Sequence, residues 1–191
     1  MLYNTLFSNL AKHVSLTAEE QQIVASYVKP IQVHKGVHLL REGAYCKHIY
    51  FVVKGCLRLY AYDGNNEATV LFAPENWWMN EIDSFSSNKP SKFAIEALED
   101  TEILAFEAKD YELLLNKIPK LERFFRLLFQ NAFGLFQRRM YLILSQNASE
   151  RYAWFGKQYP KLELRIPQKY IASYLGITTV FLSNIRRKNG G

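Results

Sequence analysis

The sequence predicts an α+β protein in which an antiparallel β domain is followed by one long helix and a pair of short terminal helices. Three observations predict this: strand-like segments separated by turns between 30 and 106, an apolar helical run over 119–147, and a basic helical segment over 148–191. Strands joined by such short turns pair antiparallel, because parallel strands need crossovers of roughly a dozen residues or more. We therefore expect three units, at 1–118, 119–147 and 148–191.

A helix over residues 17–28 is the first predicted element. Thr17 and Glu20 stand at the spacing of a capping box, in which each side chain bonds the backbone N–H of the other residue. Apolar residues then recur at helical spacing, at Ile23, Val24, Tyr27 and Val28. We expect this helix to serve packing.

The region from 30 to 106 is rich in β-branched and aromatic residues and is interrupted by short turn signals. Strands are predicted at 31–33, 37–40, 49–53, 57–62, 69–72, 93–97 and 102–106. Glycines mark the turns, at Gly36, Gly43, Gly55 and Gly64. Because no intervening segment is long enough for a crossover helix, the strands should form an antiparallel sandwich or barrel.

Two helices are predicted after the strands. The first covers 111–116 and is capped by Asp110, and the second begins at Pro119 and runs to Asn147, a span of roughly 40 Å at about 1.5 Å per residue. The apolar residues of the second helix cover more than a single stripe, so one packing partner would leave many of them in water. This helix is therefore either buried in a core or packed on its own β domain with one flank and on the same helix of a second protomer with the other.

Residues 145–147 are expected to be the hinge into a small terminal unit. The core of that unit is predicted to contain Ala153, Trp154, Phe155 and Tyr159. Residues 148–191 carry eight basic and two acidic side chains, so their net charge of +6 equals the formal charge of the whole chain. A basic unit beside a neutral body is typical of a protein that binds the phosphate backbone of nucleic acid.

Two short helices joined by a tight turn are predicted between 167 and 188. Pro167 suits the first position of the first helix, and Gly176 supplies the left-handed residue that ends it. Thr178 or Thr179 can cap the second helix. The predicted core side chains are Ile171, Tyr174, Leu175, Leu182 and Ile185. Such a pair is a helix-turn-helix; any helical domain can contain one, and the basic charge of this segment favours DNA binding.

Composition limits the class of protein. With 191 residues, 49% of them hydrophobic, the chain can bury a full core and carry a small second unit. The first residues lack a basic segment followed by an apolar run, and no stretch approaches the roughly 20 apolar residues of a membrane span, so we expect a cytoplasmic protein. Cys46 and Cys56 are too few for a disulfide framework or an iron–sulfur cluster, and buried, inert thiols are expected.

Three segments of the β region carry a family resemblance: HKG at 34–36, LREG at 40–43 and IYFVVKGCLRLY at 49–60. They resemble the opening strands of a cyclic-nucleotide-binding jelly-roll barrel. With the terminal helix-turn-helix, the chain resembles the transcription regulators of the cyclic-AMP receptor protein and fumarate–nitrate regulator (CRP/FNR) superfamily. The resemblance implies a homodimer that senses a ligand in the barrel and binds duplex DNA.

In the nucleotide-binding members of this family a short cassette holds the ligand, and residues 75–94 match it. The resemblance places Glu81 where a Gly-Glu pair holds the ribose and Ser91 beside the cyclic phosphate. Asn80 replaces the glycine, and Pro90 replaces the arginine that binds the phosphate, so we do not expect tight binding of cyclic AMP. The candidate ligand residues are Trp78, Asn80, Glu81, Lys89, Ser91 and Lys92. The sequence identifies neither the effector nor a cofactor.

The resemblance also implies contacts with a second copy and with DNA. The candidate dimer residues, on the long helix, are Leu121, Phe125, Leu128, Ala132, Leu135 and Phe136. The candidate DNA residues are Gln168, Lys169, Thr178, Thr179, Val180, Ser183, Asn184, Arg186, Arg187 and Lys188. Family members usually present Arg and Glu early in the second, recognition helix, where Thr179, Val180 and Asn184 stand here. The sequence stops at Gly191, so the β-wing that follows this helix in many relatives is expected to be missing.

Two other classes of function compete with a DNA-binding regulator. His34, His38 and Glu42 recur every fourth residue, with His48 nearby, as in a metal site on a jelly roll, but the turn at Gly36 separates the first two. The sequence contains no nucleophile elbow, P-loop or dinucleotide fingerprint, so we do not expect an enzyme. The second alternative is a ligand-sensing or scaffolding dimer without sequence-specific DNA binding.

Overall fold

The computed structural model describes residues 2–64 and 66–189, with the side chains of Lys188 and Asn189 outside the described part. The helices are α1 (Leu2–Leu10), α2 (Ala18–Tyr27), α3 (Ile82–Ser87), α4 (Ala108–Lys117), α5 (Lys120–Ser145), α6 (Ala148–Gln158), α7 (Gln168–Leu175) and α8 (Thr179–Asn189). The strands are β1 (Val28–Val33), β2 (His38–Leu40), β3 (His48–Lys54), β4 (Leu57–Asp63), β5 (Asn66–Ala73), β6 (Trp78–Met79), β7 (Phe93–Ala97) and β8 (Thr101–Glu107). All seven strands predicted from the sequence are present, whereas α1, α3 and β6 are not among the predicted elements.

The strands form two antiparallel four-stranded sheets, with the orders β1-β8-β3-β6 and β2-β7-β4-β5. The predicted antiparallel pairing is confirmed. The predicted barrel is wrong, because the two sheets do not close on each other. Two of the edge strands, β2 and β6, have three and two residues and are too short to extend the pairing across the gap. The β domain is therefore a sandwich.

The central strands β8 and β3 of the sheet β1-β8-β3-β6 are buried on both faces, whereas residues 29–32 of the edge strand β1 are exposed. In β3, Ile49 and Phe51 belong to an outer core shared with α1, α2, α4 and α5, while Tyr50 and Val52 lie between the sheets. Consecutive residues of a strand point to opposite faces, so a strand covered on both sides is apolar without interruption. This is why β3 contains a continuous apolar run and not an alternating pattern.

Two helices cover the sandwich at the beginning of the chain. The Thr17 side chain accepts a hydrogen bond from the backbone N–H of Glu20, and the Glu20 carboxylate accepts one from the N–H of Thr17, so the predicted capping box and helix are confirmed in α2. The helix α1 has nine residues and buries Leu6 and Leu10 in the outer core. Helices this short are marginal on their own, so packing decides whether they form.

The predicted cap of the short helix α4 is corrected. The helix begins at Ala108 with Glu107 at the N-cap position and without a side-chain cap bond, so Asp110 lies inside the first turn. An acidic residue there complements the partial positive charge of the helix N-terminus. Leu114 and Leu115 attach the helix to the outer core.

The predicted long helix is confirmed as α5, which follows Pro119 and has 26 residues. Across residues 2–64 and 66–189, no helix combines the length and the hydropathy that crossing a membrane requires. Gln146 and Asn147 connect α5 to α6, and a capping box between Asn147 and Glu150 closes the start of α6. The two helices thus follow each other after a short, capped connection.

The two terminal helices lie where the sequence predicts. Pro167 is the N-cap residue of α7 and so precedes the first helical position, and Gly176 ends the helix with a left-handed φ of 66°. The hydroxyl of Thr178 accepts a hydrogen bond of 3.2 Å from the N–H of Phe181, so Thr178, and not Thr179, caps α8. All predicted core side chains of the pair are buried: Ile171, Tyr174, Leu175, Leu182 and Ile185.

The terminal helices α6 and α7 pack on the sheet β2-β7-β4-β5, and α8 packs on α7. Phe72 of β5 contacts the rings of Phe155, Tyr159 and Tyr174, with centroid distances of 6.1, 5.9 and 5.3 Å. Ala153 is exposed, so its predicted place in a core is wrong, because it lies on the side of α6 away from this contact. The aromatic core of the terminal helices is therefore shared with the β domain.

Candidate functional site

Two side chains of the cassette predicted to hold a ligand, those of Glu81 and Ser91, are hydrogen-bonded within the fold. Glu81 is 4% exposed and caps α3, since its carboxylate oxygens accept hydrogen bonds of 2.9 and 3.0 Å from the backbone N–H groups of Asp83 and Ser84. The N–H of Glu81 in turn donates to Sγ of Cys46. The carboxylate therefore satisfies the start of a helix, and this role competes with binding a ligand.

Ser91 is engaged in a similar way. Its buried hydroxyl donates a hydrogen bond of 3.1 Å to the backbone oxygen of Phe93 and accepts one of 3.0 Å from the N–H of the same residue. The backbone of Ser91 pairs with that of Gly43 and Ala44 in the neighbouring loop. Because a hydroxyl has a single proton to donate, this one is already used within the fold.

The other polar residues of the cassette are arranged differently. Lys89 and Lys92 are exposed at the surface. The side-chain nitrogen of Asn80 is buried and has no hydrogen-bond partner among the described residues. The structure thus keeps Glu81 and Ser91 buried in the predicted cassette and leaves its two lysines in solvent.

Trp78 lies in the outer core. Its ring contacts those of Phe51 and Phe124 at centroid distances of 5.0 and 5.4 Å, and its Nε1 donates a hydrogen bond of 3.0 Å to the side chain of Asn9. Side chains alternate along β6, so Trp78 faces α5 while Met79 lies between the sheets. The prediction that Trp78 contacts a ligand in the cassette is therefore corrected.

A groove of about 560 Å³ lies between α1, the loop before β6 and α5. Its volume is within the usual range for small-molecule sites. Its polar lining residues are Asn9, Lys12, His13, Asn76, Gln130, Asn131, Arg138 and Gln158, and its apolar ones are Leu71, Trp77, Trp78, Phe124, Leu128, Ala132, Gly134, Leu135 and Phe136. None of these described lining residues is acidic, so the groove is electrostatically suited to an anion.

The predicted dimer residues lie on two faces of α5. Leu121 and Phe125 are 1% and 2% exposed in the outer core, so they have no surface left for a partner and the prediction is corrected there. Three more are partly buried: Leu128, Ala132 and Leu135. Phe136 is 44% exposed and lies on a different face.

A second apolar stripe of α5 is exposed to solvent from Phe133 onward, while its first residue, Phe129, is half-buried and stacks on Phe125 of the outer core. It consists of Phe129, Phe133, Phe136, Met140 and Ile143, whose spacing alternates between four and three residues. Phe133 and Met140 are 65% and 57% exposed. This alternation is the a/d spacing of a coiled coil, in which the stripe of one helix packs against that of another. We call it the α5 seam.

One face of α8 points away from the protein. Leu182 and Ile185 bury the opposite face, and Val180, Asn184 and Arg187 share the outward face at positions i, i+4 and i+7. The exposed residues of the predicted DNA set are Gln168, Lys169, Thr178, Thr179, Val180, Ser183, Asn184 and Arg187. Arg186 is half-buried, and the Lys188 side chain lies outside the described residues.

A buried arginine that sequence reasoning does not single out connects the β domain to α7. Arg58 of β4 is 0% exposed, and its Nη2 lies 2.6 Å from a carboxylate oxygen of each of Glu67 and Glu96. Its guanidinium carbon lies 4.0 and 3.7 Å from the ring centroids of Tyr60 and of Tyr170, which belongs to α7. The signal in the sequence is a charged residue between Leu57 and Leu59 in strand β4.

Two further groups join β5 to the helices. Arg139 of α5 donates hydrogen bonds of 2.9 Å to the backbone oxygens of Thr69 in β5 and Tyr174 in α7. The hydroxyl of Ser173 accepts a hydrogen bond of 2.9 Å from the N–H of Thr69 and donates one of 2.6 Å to the backbone oxygen of Glu67. The edge of β5 is therefore hydrogen-bonded to α5 and α7 and not left open.

Arg165 binds two carboxylates of the β domain, those of Glu75 and Glu99. Its contact with Glu75 is bidentate, with distances of 2.9 and 2.6 Å. Burial alone would raise the pKa of Glu75, but hydrogen bonds from Arg165 and from the N–H of Gly55 hold this pKa below its usual value of 4.5. Arg165 counts toward the basic charge of the terminal segment, yet its charge is compensated within the fold.

The residues of the metal-site alternative are dispersed. His34 Nδ1 lies 3.5 Å from a carboxylate oxygen of Asp100, whereas His38 Nε2 lies 2.8 Å from the hydroxyl of Tyr60. In the part of the chain that the structure describes, no three His, Cys, Asp or Glu side chains are grouped as a metal ion would require. The spacing of four residues in the sequence thus does not bring these side chains to one point.

The two cysteines are buried and unpaired, as the sequence predicts. Burial raises the pKa of both Cys46 and Cys56, so the thiols stay neutral at physiological pH. Both pack in the cores of the protein.

Comparison with known proteins agrees with this geometry. Residues 30–117 match the family model described as the cyclic nucleotide-binding domain. The chain superposes on FixK2 from Bradyrhizobium japonicum with a TM-score of 0.74 at 18% identity, covering 85% of this chain and 86% of that one. It superposes on the catabolite activator protein of Thermus thermophilus with a TM-score of 0.60 at 21% identity, covering 95% and 88%.

A third similar structure is the c-di-GMP responsive global regulator CLP from Xanthomonas campestris, with a TM-score of 0.70 at 12% identity and coverage of 91% and 92%. No curated protein sequence matches the chain. The resemblance drawn from the sequence is thus confirmed: residues 30–117 match the cyclic nucleotide-binding domain model, and 85–95% of the chain has the fold shared by FixK2, the catabolite activator protein and CLP.

Proposed function

We propose that this chain, which has the fold of the CRP/FNR regulators, is a dimeric, non-enzymatic transcription regulator that binds duplex DNA through α7 and α8. The division of labour follows the predicted units: residues 1–118 sense, 119–147 dimerise and 148–191 bind DNA as a helix-turn-helix. The observation that carries the proposal is the outward face of α8, where Val180, Asn184 and Arg187 are all exposed. DNA-binding helices of this type place their first residues on base edges and their basic residues on phosphates.

The dimer is proposed to form through the α5 seam. Two recognition helices must enter successive major grooves roughly 34 Å apart, so a monomer cannot make the full contact. The seam supplies an apolar stripe with coiled-coil spacing on the side of α5 that the outer core leaves uncovered. This assignment replaces Leu121 and Phe125 by Phe133 and Met140 as dimer contacts.

Sedimentation tests the seam. Met140→Asp places a charge in the proposed interface, and we expect the dimer dissociation constant to rise by about 100-fold or more. Leu164→Asp is the matched control, because Leu164 is 76% exposed outside α5. A folded Met140→Asp variant that stays dimeric would show that another surface joins the protomers.

Sensing is proposed to take place in the groove between α1 and α5. The groove is lined by residues of the β domain, of α5 and, through Gln158, of α6. A ligand bound there would therefore contact all three predicted units. In the cassette, by contrast, Glu81 and Ser91 are engaged internally and Pro90 stands in place of the phosphate-binding arginine. We expect millimolar cyclic AMP to leave the melting temperature unchanged, because a ligand raises it only when it binds the folded state.

DNA binding is tested by selecting duplexes from a random pool and titrating salt. If Lys169, Arg186 and Arg187 of each protomer contact phosphates, the logarithm of affinity falls with that of salt concentration with a slope of about −5. Enrichment of a two-fold symmetric sequence supports the regulator. Salt-dependent binding without enrichment, or no binding, would favour the alternative of a sensing or scaffolding dimer.

A further inference from the structure

We propose that Val180 reads the C5-methyl group of thymine in the major groove, so that the protein selects half-sites containing A·T pairs. The inference rests on the proposed DNA binding and names the base that the helix recognises. Among Val180, Asn184 and Arg187 on the outward face of α8, Val180 is the residue whose side chain cannot form hydrogen bonds.

The position of Val180 is the first ground. It stands in the first turn of α8, where a recognition helix meets base edges, and it is 70% exposed. Leu182 and Ile185 hold the helix from the opposite side, so the Val180 side chain is directed outward by packing. Phe181 beside it is 51% exposed, which widens the apolar surface at this end of the helix.

The composition of the first two turns is the second ground. Residues 179–185 contain no Arg, Lys, Asp or Glu. Guanine is read mainly by Arg or Lys, and cytosine by a carboxylate, so this stretch lacks the charged side chains that usually read a G·C pair. Thymine alone presents a methyl group in the major groove, and an apolar side chain is what contacts it. Asn184, one turn further along, has the amide that pairs with adenine.

The charge around the apolar patch formed by Val180 and Phe181 indicates that the partner bound there is DNA. An exposed valine and phenylalanine could equally contact another protein, but the same pair of helices also exposes basic residues, Lys169 on α7 and Arg187 on the outward face of α8. A polyanion with apolar methyl groups in its groove satisfies both features of this surface.

The test removes the methyl group and nothing else. Duplexes enriched from a random pool are synthesised with thymidine or with deoxyuridine, which keeps the same hydrogen-bonding groups, one position at a time. We expect the full chain to bind about threefold to fivefold more weakly when deoxyuridine replaces the thymine under Val180. The Val180→Ser variant is expected to bind both duplexes equally, and the control Leu164→Ser to keep the difference.

The outcomes are separable. Equal affinity of the wild type for both duplexes at every position overturns the inference and leaves the proposed function standing. A methyl effect that persists in Val180→Ser also overturns it. A Val180→Ser variant with altered sedimentation but unchanged DNA affinity assigns the patch to a protein contact. Absence of salt-dependent duplex binding overturns the inference and the proposed function together.

Discussion

The terminal helices have an inner face, which packs on the β domain, and an outer face, which is exposed to solvent. Both faces carry polar and charged residues, but those of the inner face have partners within the fold. On the inner face, Arg165 is bound by two carboxylates and Tyr174 is buried among aromatic rings and accepts a hydrogen bond from Arg139. On the outer face, Asn184 and Arg187 are exposed. The difference teaches that residue type alone does not identify a side chain available for binding. What identifies it is whether its charge or hydrogen-bonding groups are still without partners in the folded protein.

Glu81 and Ser91 of the ligand cassette resemble the residues of the inner face, because their polar groups already have partners within the fold. Both residues match the family pattern, but hydrogen bonds within the fold already use their carboxylate and hydroxyl. A free ligand would have to displace these bonds, and a buried group left without its partner costs about 1–3 kcal/mol. Four predictions follow from this contrast, in order of decreasing effect.

Removing an aromatic side chain from the core shared by the terminal helices and the β domain should have the largest effect on stability. We expect Phe72→Ala to lower the free energy of unfolding by about 3–5 kcal/mol, because it leaves a cavity among Phe155, Tyr159 and Tyr174. Urea denaturation measures it. The control Leu164→Ala, at an exposed position, should change stability by less than about 0.5 kcal/mol. A loss below about 1 kcal/mol for Phe72→Ala would mean that the terminal helices do not depend on the β domain.

Breaking the cassette should cost less. Glu81→Ala removes the acceptor for two backbone N–H groups at the start of α3, and we expect a loss of about 1–3 kcal/mol in unfolding free energy. Affinity for DNA should not change. Glu42→Ala, which removes an exposed glutamate, is the control. A cassette glutamate kept for ligand binding would instead be replaceable without loss of stability.

Changing the outer face should leave stability intact and alter DNA binding. We expect Arg187→Gln to reduce the magnitude of the salt slope by about 2 for a dimer, since one phosphate contact is lost per protomer. Affinity should fall by a similar factor on all sequences. Lys54→Gln makes the same charge change on an exposed residue of the β domain and should leave the slope as it is. If both variants give equal slopes, Arg187 does not touch the backbone.

Low pH should slightly lower the free energy of unfolding, because it weakens the contact between Arg165 and Glu75. Because the folded-state pKa of Glu75 is lowered, its contribution to stability is complete above its ordinary value of 4.5 and is lost as the pH falls through the folded value. We expect Arg165→Gln to reduce this dependence, because the hydrogen bond from the N–H of Gly55 remains. The ions are about one-third exposed, so the effect is at most about 1 kcal/mol in urea denaturation from neutral pH to about pH 3. Identical acid profiles for the wild type and the variant would contradict the assignment to Arg165.

Much of the fold could be predicted from local patterns. The capping box at Thr17, the glycine at 176 and the β-branched and aromatic runs of the strands all act within a few residues, so the sequence determines them directly. By contrast, β6 has two residues and α1 nine, and segments this short form only because a neighbouring core covers them.

The candidate site was less predictable, for a related reason. Trp78 and Phe125 are predicted from the sequence to contact a ligand and a second protomer, yet both pack in the outer core, where Trp78 also lines the groove beside α5. The α5 seam is visible in the sequence as alternating steps of four and three residues, but a second apolar stripe on the same helix competes with it. Which of the two stripes faces the protomer's own core depends on what packs there.

The sequence by itself determined the order of elements, the antiparallel pairing, the basic character of residues 148–191 and the two terminal helices. These depend on periodicity, turn chemistry and charge, which are properties of neighbouring residues. Only the tertiary structure decided that the sheets stay open, that Arg58, Arg139 and Arg165 are engaged between the β domain and the helices, and that Val180 and Arg187 are exposed. Burial and hydrogen-bond partners arise from residues far apart in the chain, so they become defined only when the fold brings those residues together.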